Sequence, residues 1–432
     1  MKKIVTVILA AGKSSRFKHS KSKIFQNLSG LPIIDHVYEV AKFASNKNIV
    51  FVCNKNNIDE LKKKFLNAKF VLQAKQSGTA DAIIKAKKYL KNTNVLILFA
   101  DVPLLSTLII KKLIKNFYKN NSIGSMIAFE SKKPYGYGRV VHEKQYVLNV
   151  IEELHANPEE KKIKLCNSGI MICDSDLLFK NINKIKNNNI KKERYLPDIF
   201  SFFYKLNIKF SYIIALEEEM LGINTIQNLI DADNILQKRI KKKLIEGGVI
   251  IQEPNNTRIS FDTKIKKGSI IEPFVVIKSG VIIKENVHIK SHTVLEKSVI
   301  GANSSIGPGA RIRPNTKIDS NVKIGNYVEI KNSNIGSNTS ISHLSYIGDS
   351  DLGKNVNIGA GTITCNYNGK KKFKTIIQNN VFIGSNSSLV APLKIGQNST
   401  IGAGSVITKN IPSYHLAIER SDTKILRKRL KK

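Results

Sequence analysis

The sequence predicts an α/β Rossmann-like domain, a connecting helix, and then a left-handed parallel β-helix of hexapeptide repeats. Three observations carry this expectation. Over residues 1–224, short apolar runs alternate with stretches of helical periodicity. One amphipathic stretch follows, at 225–245. Through 246–432 the grammar changes, and an aliphatic residue returns at every sixth position.

In the first half, "KIVTVILA", "NIVFVCN", "VLILFAD" and "SMIAFE" read as strands. Ile33–Ala44, Ile58–Asn67 and Thr79–Leu90 read as helices between them. Such alternation gives a mostly parallel sheet covered by helices. Sheets of this kind hold ligands at the carboxyl ends of their strands. In the middle stretch Ile226, Leu229, Ile230, Leu236, Ile240 and Leu244 recur at helical spacing, and Gly247-Gly248 stop the helix. The six-residue repeat runs from Ile259 to Leu295, Ile300 to Ile330, Ile335 to Ile347, Leu352 to Ile358, and Ile377 to Ile407. One strand and one corner per six residues puts each aliphatic side chain inside a parallel β-helix. Glycine and other turn-forming residues, as in "IGANSS" and "IGQNST", suit its bends. The interruption "TITCNYNGKKKFKT", Thr362–Thr375, reads as a loop thrown out of the coil.

Composition narrows the class. The 432 residues suffice for two or three domains with ample core. No apolar run reaches the roughly 18 residues of a transmembrane helix, so no membrane insertion is expected. The start "MKKIVTVILAAG" is basic then apolar, like a signal peptide, but the strand–helix pattern continues past it. It reads as a buried first strand. Cys53, Cys166, Cys173 and Cys365 are scattered without metal-ligand spacing, which fits reduced thiols and a cytoplasmic protein. The net charge of +37 raises nucleic acid as a partner. The lysines are spread over the whole chain, however, and no aromatic residues interleave with a basic patch. Compositional drift is the simpler account, no nucleic-acid partner is expected, and the positive field favours small anionic substrates.

The stretch "VILAAGKSSR", Val7–Arg16, leaves a strand through small residues toward two cations. It is neither a Walker A loop nor a G-x-G-x-x-G turn. By itself it leaves open a phosphate cradle or an ordinary strand-to-helix turn.

Its companions add a resemblance. "LAAGKSSR", Lys23, "LQAKQSGTADA", "FADVPLL", "GYGR", "VIEE", "NSGIMI" and "GIN" follow one another as in the sugar-nucleotide pyrophosphorylases. The β-helix pattern then carries "SHLSYIGD" and "NIGAGTITCNYNG". Together, across nearly the whole chain, they resemble the bacterial bifunctional glucosamine-1-phosphate N-acetyltransferase/N-acetylglucosamine-1-phosphate uridyltransferases. The resemblance implies a first-half nucleotidyltransferase and a second-half acetyltransferase that together make UDP-N-acetylglucosamine for envelope polymers. It implies UTP and acetyl-CoA as co-substrates, Mg²⁺ as cofactor, and a homotrimer.

It also implies roles for matching positions. Leu9, Ala10, Ala11 and Gly12 frame the uridine nucleotide, Lys23 meets the triphosphate, and Gln73, Gly78 and Thr79 hold the uracil. Asp101 and Asn224 ligate Mg²⁺, an oxygen-only pair that suits a hard, hydrated ion. Gly138, Glu152 and Asn167 bind the amino sugar, and Arg16 stabilises the departing pyrophosphate. In the second half His343 is the general base for the glucosamine-1-phosphate amine, a role suited to an imidazole. Glu329 orients that imidazole, and Arg313 and Lys331 bind the sugar phosphate. Lys372, Tyr346, Asn357 and Asn366 complete the sugar site. Ala360, Asn366, Tyr367, Ser385, Ala403 and Arg420 contact acetyl-CoA.

The chain departs from the family pattern in two places. Ser14-Ser15 replace Gly-Thr before the arginine, and Phe99-Ala100 replace Tyr-Gly before the metal aspartate. Phe99 keeps a ring without its hydroxyl, and Ala100 adds a methyl group at a close approach. Two other readings stand beside the bifunctional enzyme. One is a single-activity pyrophosphorylase whose β-helix only assembles or binds an effector. The other is a basic nucleic-acid scaffold. His343 and the Thr362–Thr375 loop argue against the first, because a purely structural coil needs neither.

Overall fold

A computed structural model describes residues 2–12, 17, 22–119, 122–185 and 193–426. The chain folds as two compact units that meet in sequence at Ile235 and Leu236, within the helix Ile226–Glu246.

The first unit is a nine-stranded sheet. Its strand order is Lys69–Leu72, Ile49–Cys53, Ile4–Leu9, Asn94–Phe99, Leu165–Asp174, Gly124–Glu130, Phe210–Ala215, Tyr146–Ile151 and Arg139–Glu143. The four strands at its first edge are all parallel. Central strands of such a sheet are covered on both faces and read as continuous apolar runs. Ile4–Leu9 shows this: Val7 packs into the core on one face and Ile8 into the core on the other. The predicted helices form as Ile33–Ser45, Ile58–Lys64 and Thr79–Ala86.

Sequence periodicity did not reveal Leu165–Asp174. This ten-residue strand enters antiparallel between Asn94–Phe99 and Gly124–Glu130. Its register shifts between Asn167 and Met171. Asn167 Oδ1 accepts from the Gly169 amide at 2.8 Å, and Ser168 Oγ donates to the Ile127 carbonyl at 2.6 Å. The motif "NSGIMI" thus builds a bulge that re-aims side chains in mid-strand.

The second unit is a left-handed parallel β-helix. Its strands stack into sheets of ten, nine and eight, one sheet per face. The first run repeats every 18 residues, Ile259 beside Ile277 and Ile277 beside Leu295. The first three predicted breaks of phase each shorten a coil by one residue, so that Leu295 stacks on Ile312, whereas the last lengthens it, so that Ile358 stacks on Ile383. The repeating isoleucines form one continuous core. At one corner Asn286, Asn303, Asn321, Asn338, Asn355, Asn380 and Asn398 adopt φ close to +60°. Asparagine tolerates this left-handed conformation better than most residues. Several of these amides also bond to the next coil, as Asn355 does to Asn380 at 2.9 Å. The projecting loop is shorter than expected. Ile363–Cys365 remains a coil strand, and Tyr367 bridges Lys372 beyond it in a small antiparallel turn.

All four cysteines are free, and burial pushes the Cys53 thiol up to about 12 and the Cys166 thiol up to about 11. Such thiols are inert at neutral pH. Among the described residues, no helix is long and apolar enough to cross a membrane.

Candidate active sites

The carboxyl ends of Ile4–Leu9 and Asn94–Phe99 lie side by side, with Leu9 paired to Phe99. The segments leaving them, Ala10–Gly12 and Ala100–Asp101, line a cavity of about 370 Å³. Asn57 Nδ2 donates to the Ala10 carbonyl at 2.7 Å. A trans peptide points its N–H opposite to its C=O, so the Ala11 N–H faces away from Asn57. Lys23 Nζ donates to Asp101 Oδ2 at 2.5 Å and to Asn224 Oδ1 at 3.0 Å. Three residues far apart in sequence therefore converge on one charged point. The Ile223 amide donates to the Asp101 carbonyl at 2.8 Å and holds Asn224 there.

Across the cavity, Gln73 Nε2 donates to the Gly78 carbonyl and to Asp81 Oδ2, both at 3.1 Å. Gly78 sits at φ +105°, and a Cβ there would lie 2.3 Å from the Arg194 carbonyl oxygen. Only glycine fits both demands. Thr79 opens the next helix, and its hydroxyl accepts from the Leu196 amide at 2.9 Å.

A second cavity of about 220 Å³ adjoins the first and shares Thr79, Phe99 and Tyr195 with it. Gly138, Glu152 and Asn167 line it. The Asn167 amide donates to the Gly138 carbonyl at 2.8 Å. The Phe99 ring packs over Gly169 so closely that a Cβ at Gly169 would lie 2.5 Å from it. Phe99 thus forms a wall common to both cavities.

On the β-helix, Arg313 Nη1 donates to Glu329 Oε1 at 2.7 Å, and Arg311 stands 3.7 Å from the other oxygen. Lys331 lies one coil from Arg313 in the same column, by way of the neighbouring pair Ile312 and Ile330. The Lys372 ammonium beside Lys331 pulls its pKa below the usual lysine range. Arg313, Lys331 and Lys372 thus bring three cations together, only partly offset by Glu329 on Arg313 and Asp349 near Lys331, an arrangement that an anion would relieve. Asn366 Nδ2 donates to Asp349, and the Phe373 amide donates to the Asn366 carbonyl at 2.8 Å.

His343 ends the strand Ser340–His343 at a corner, with Tyr346 opening the next face. Its Nδ1 meets Asn326 Oδ1 at 2.6 Å. An amide oxygen only accepts, so Nδ1 carries the hydrogen, and in the neutral ring that leaves the lone pair on Nε2. The expected partner Glu329 is not hydrogen-bonded to His343 within the chain; it belongs to Arg313. The reason is register: Asn326 pairs with His343 directly, whereas Glu329 lies beyond the corner and pairs with Tyr346.

Ala360, Ser385 and Ala403 occupy one corner on successive coils. Asn386 donates to the Ala360 carbonyl at 2.7 Å, and a Cβ on Gly384 would lie 2.4 Å from the Ala403 nitrogen. Arg420 Nη1 donates to the Ala403 carbonyl at 3.1 Å.

The comparisons agree with both halves. A MobA-like NTP transferase domain matches residues 6–163, and the bacterial transferase hexapeptide (six repeats) matches 262–297 and 374–409. A GMPPB C-terminal domain matches 298–368. The bifunctional protein GlmU of Bartonella bacilliformis is 37% identical, over 96% of this chain and 94% of that one. Its counterpart in Thermosipho melanesiensis is 40% identical over 96% and 94%. That of Francisella tularensis subsp. novicida is 42% identical over 96% and 95%. This chain belongs to the GlmU family. It is a bifunctional transferase, with a nucleotidyltransferase domain followed by a hexapeptide-repeat acetyltransferase domain.

Against the family expectations, the structure gathers Leu9, Ala10, Ala11, Gly12, Lys23, Gln73, Gly78, Thr79 and Asp101 around one cavity. It puts Asn224 at its edge through Lys23. Arg16, like Ser14 and Ser15, lies outside the described residues. Tyr367 and Asn357 sit on the β-helix surface in the loop and on a coil strand. Sequence reasoning missed Asn326. Subtracting the coil length from His343 would have found it, once that length was known.

Proposed function

We propose that the first unit holds UTP and N-acetylglucosamine-1-phosphate in its two adjoining cavities, and that the β-helix carries acetyl-CoA and glucosamine-1-phosphate. The domains then run 1–224, 225–245 and 246–432. The observation that carries the uridyltransferase reading is the meeting of Lys23, Asp101 and Asn224 where two parallel strands end. In this step a phosphate oxygen of the sugar phosphate attacks the α-phosphorus of UTP, and pyrophosphate leaves. Such chemistry needs positioning and charge neutralisation rather than a protein nucleophile. The backbone of Ala10–Gly12 frames the nucleotide, Lys23 meets its phosphates, and Gln73 and Thr79 face the base.

The Asp101 and Asn224 oxygens both lie within 3.0 Å of Lys23 Nζ, so they converge on one cationic position. That fits Mg²⁺, which takes few protein oxygens and fills its remaining positions with water and phosphate. Mg²⁺ held there would neutralise charge on the triphosphate.

In the second unit, the glucosamine-1-phosphate amine attacks the acetyl thioester carbonyl, the C–N bond forms, and the C–S bond breaks to release CoA as its thiolate. His343 Nε2 takes the amine proton, and Asn326 holds the ring through Nδ1. Arg313, Lys331 and Lys372 neutralise the sugar phosphate. Acetyl-CoA then lies along the strip of small residues at Ala360, Ser385 and Ala403, which successive coils stack at one corner.

A mass-spectrometric time course tests the pair of activities. Given glucosamine-1-phosphate, acetyl-CoA, UTP and Mg²⁺, the protein is expected to form N-acetylglucosamine-1-phosphate first and UDP-N-acetylglucosamine after it. Product formed only from supplied N-acetylglucosamine-1-phosphate would reduce the β-helix to a scaffold. The assembly is read as a cytoplasmic homotrimer, as the family likeness implies, and Tyr327, Leu344 and Phe382 expose large apolar side chains along the coil as a subunit interface would. Light scattering is expected to give three times the chain mass, and a stable monomer would remove that reading.

A further inference from the structure

The wall of the second cavity is braced by an ion pair between a buried arginine and a partly exposed glutamate. Arg139 opens the strand Arg139–Glu143, and its side chain is 2% exposed. Its Nη1 donates to the Tyr137 carbonyl, and its Nη2 donates to Glu153 Oε2 at 2.6 Å. The same carboxylate oxygen accepts from the Gly136 amide at 3.2 Å. The Arg139 hydrogen bond holds the Glu153 carboxyl below its usual range, so the pair stays charged. Neither side chain lines the cavity.

The backbone of Arg139 extends the same bracing. It pairs with Ile151 on one side and Cys166 on the other. Gly138 is the neighbour of Arg139, Glu152 lies between Ile151 and Glu153, and Asn167 follows Cys166. Each residue proposed to read the amino sugar is thus one position from a group that Arg139 fastens. The arrangement is not free of cost. Arg139 Nε is buried with no hydrogen-bond partner, and an unmade bond of a buried donor is expensive. A guanidinium retained at that cost supplies what a shorter side chain cannot, a planar fork that grips a carbonyl and a carboxylate together.

We infer that Arg139 and Glu153 are positioning residues for sugar-phosphate recognition, setting the spacing of Gly138, Glu152 and Asn167 without touching the substrate. The inference rests on the reading that this cavity takes N-acetylglucosamine-1-phosphate. Its test uses the full chain with Glu153→Gln and Arg139→Lys, uridylyl transfer measured with each substrate varied, the melting temperature of the first unit as the control for folding, and acetyl transfer as the control for the amount of protein. In Glu153→Gln the KM for N-acetylglucosamine-1-phosphate is expected to rise roughly tenfold, the size of effect seen when a supporting partner of a ligand-holding residue is lost. The kcat and the KM for UTP are expected to change by less than about twofold, because the nucleotide cavity has its own supports. Arg139→Lys keeps the charge without the fork and is expected to show the same selective rise in KM. Unchanged sugar-phosphate KM in both variants, with wild-type protein active, would overturn the inference. So would equal losses in both substrates together with a lowered melting temperature, which would mark a merely structural pair. Wild-type protein that transfers no uridylyl group would instead refute the cavity reading beneath it.

Discussion

Replacing His343 by alanine is expected to lower acetyl transfer by about 10²- to 10⁴-fold, the range that a positioned general base supplies. Uridylyl transfer should stay within about twofold of wild type, as for sites without shared partners. The imidazole is exposed at a coil corner, so its removal opens no cavity in the isoleucine core. A large loss of rate therefore reports chemistry rather than folding. The neighbour refines the test. Asn326 Oδ1 receives Nδ1–H and so leaves Nε2 as the base. Asn326→Ala frees the ring without removing it, and a smaller loss of roughly tenfold is expected in kcat, as for other supporting partners. A His343→Ala enzyme that still acetylates would end the assignment. One that lost both activities while remaining folded would end the separation into two sites.

The same residue shows how far the sequence can be read. His343 was visible as a candidate because its motif is local, and the core isoleucines because their period is local. The identity of its partner is not local. It depends on the length of one coil, 17 residues at that place, and the coils here include lengths of 17, 18 and 25 residues. Glu329 was the reasonable sequence choice, but the corner turns it onto another face beside Arg313. In the first unit the parallel strands were legible as continuous apolar runs, and the helices as amphipathic stretches. The strand Leu165–Asp174 was not, because its antiparallel entry and its bulge at Asn167 are defined by neighbours on both sides. The pairing of Arg139 with Glu153 was hidden for the same reason. Both stand inside noted motifs, "GYGR" and "VIEE", yet nothing in either motif says that the two side chains meet.

Asp101→Ala should produce the reverse pattern to His343→Ala. Uridylyl transfer is expected to fall on the order of 10³-fold, the scale of removing one preorganised group that answers transition-state charge. Acetyl transfer should be unchanged. Two consequences of the substitution act together. The cavity loses the anionic one of its two converging oxygens, and with it most of its attraction for a divalent cation. Lys23, only 10% exposed, is also left with the neutral Asn224 oxygen as its partner. The second effect costs about 1 kcal/mol of stability, since a partly solvated pair is worth less than a buried one. It cannot account for three orders of magnitude in rate. Asp101→Asn separates shape from charge. It keeps an oxygen near Lys23 and the link from the Ile223 amide to the residue 101 carbonyl, but it removes the negative charge. If charge is the function of Asp101, the asparagine enzyme is nearly as slow as the alanine enzyme, and excess Mg²⁺ restores little. If the asparagine enzyme keeps most of its rate, Asp101 serves only to hold Lys23 in place. The metal would then have to be held by other groups around the cavity.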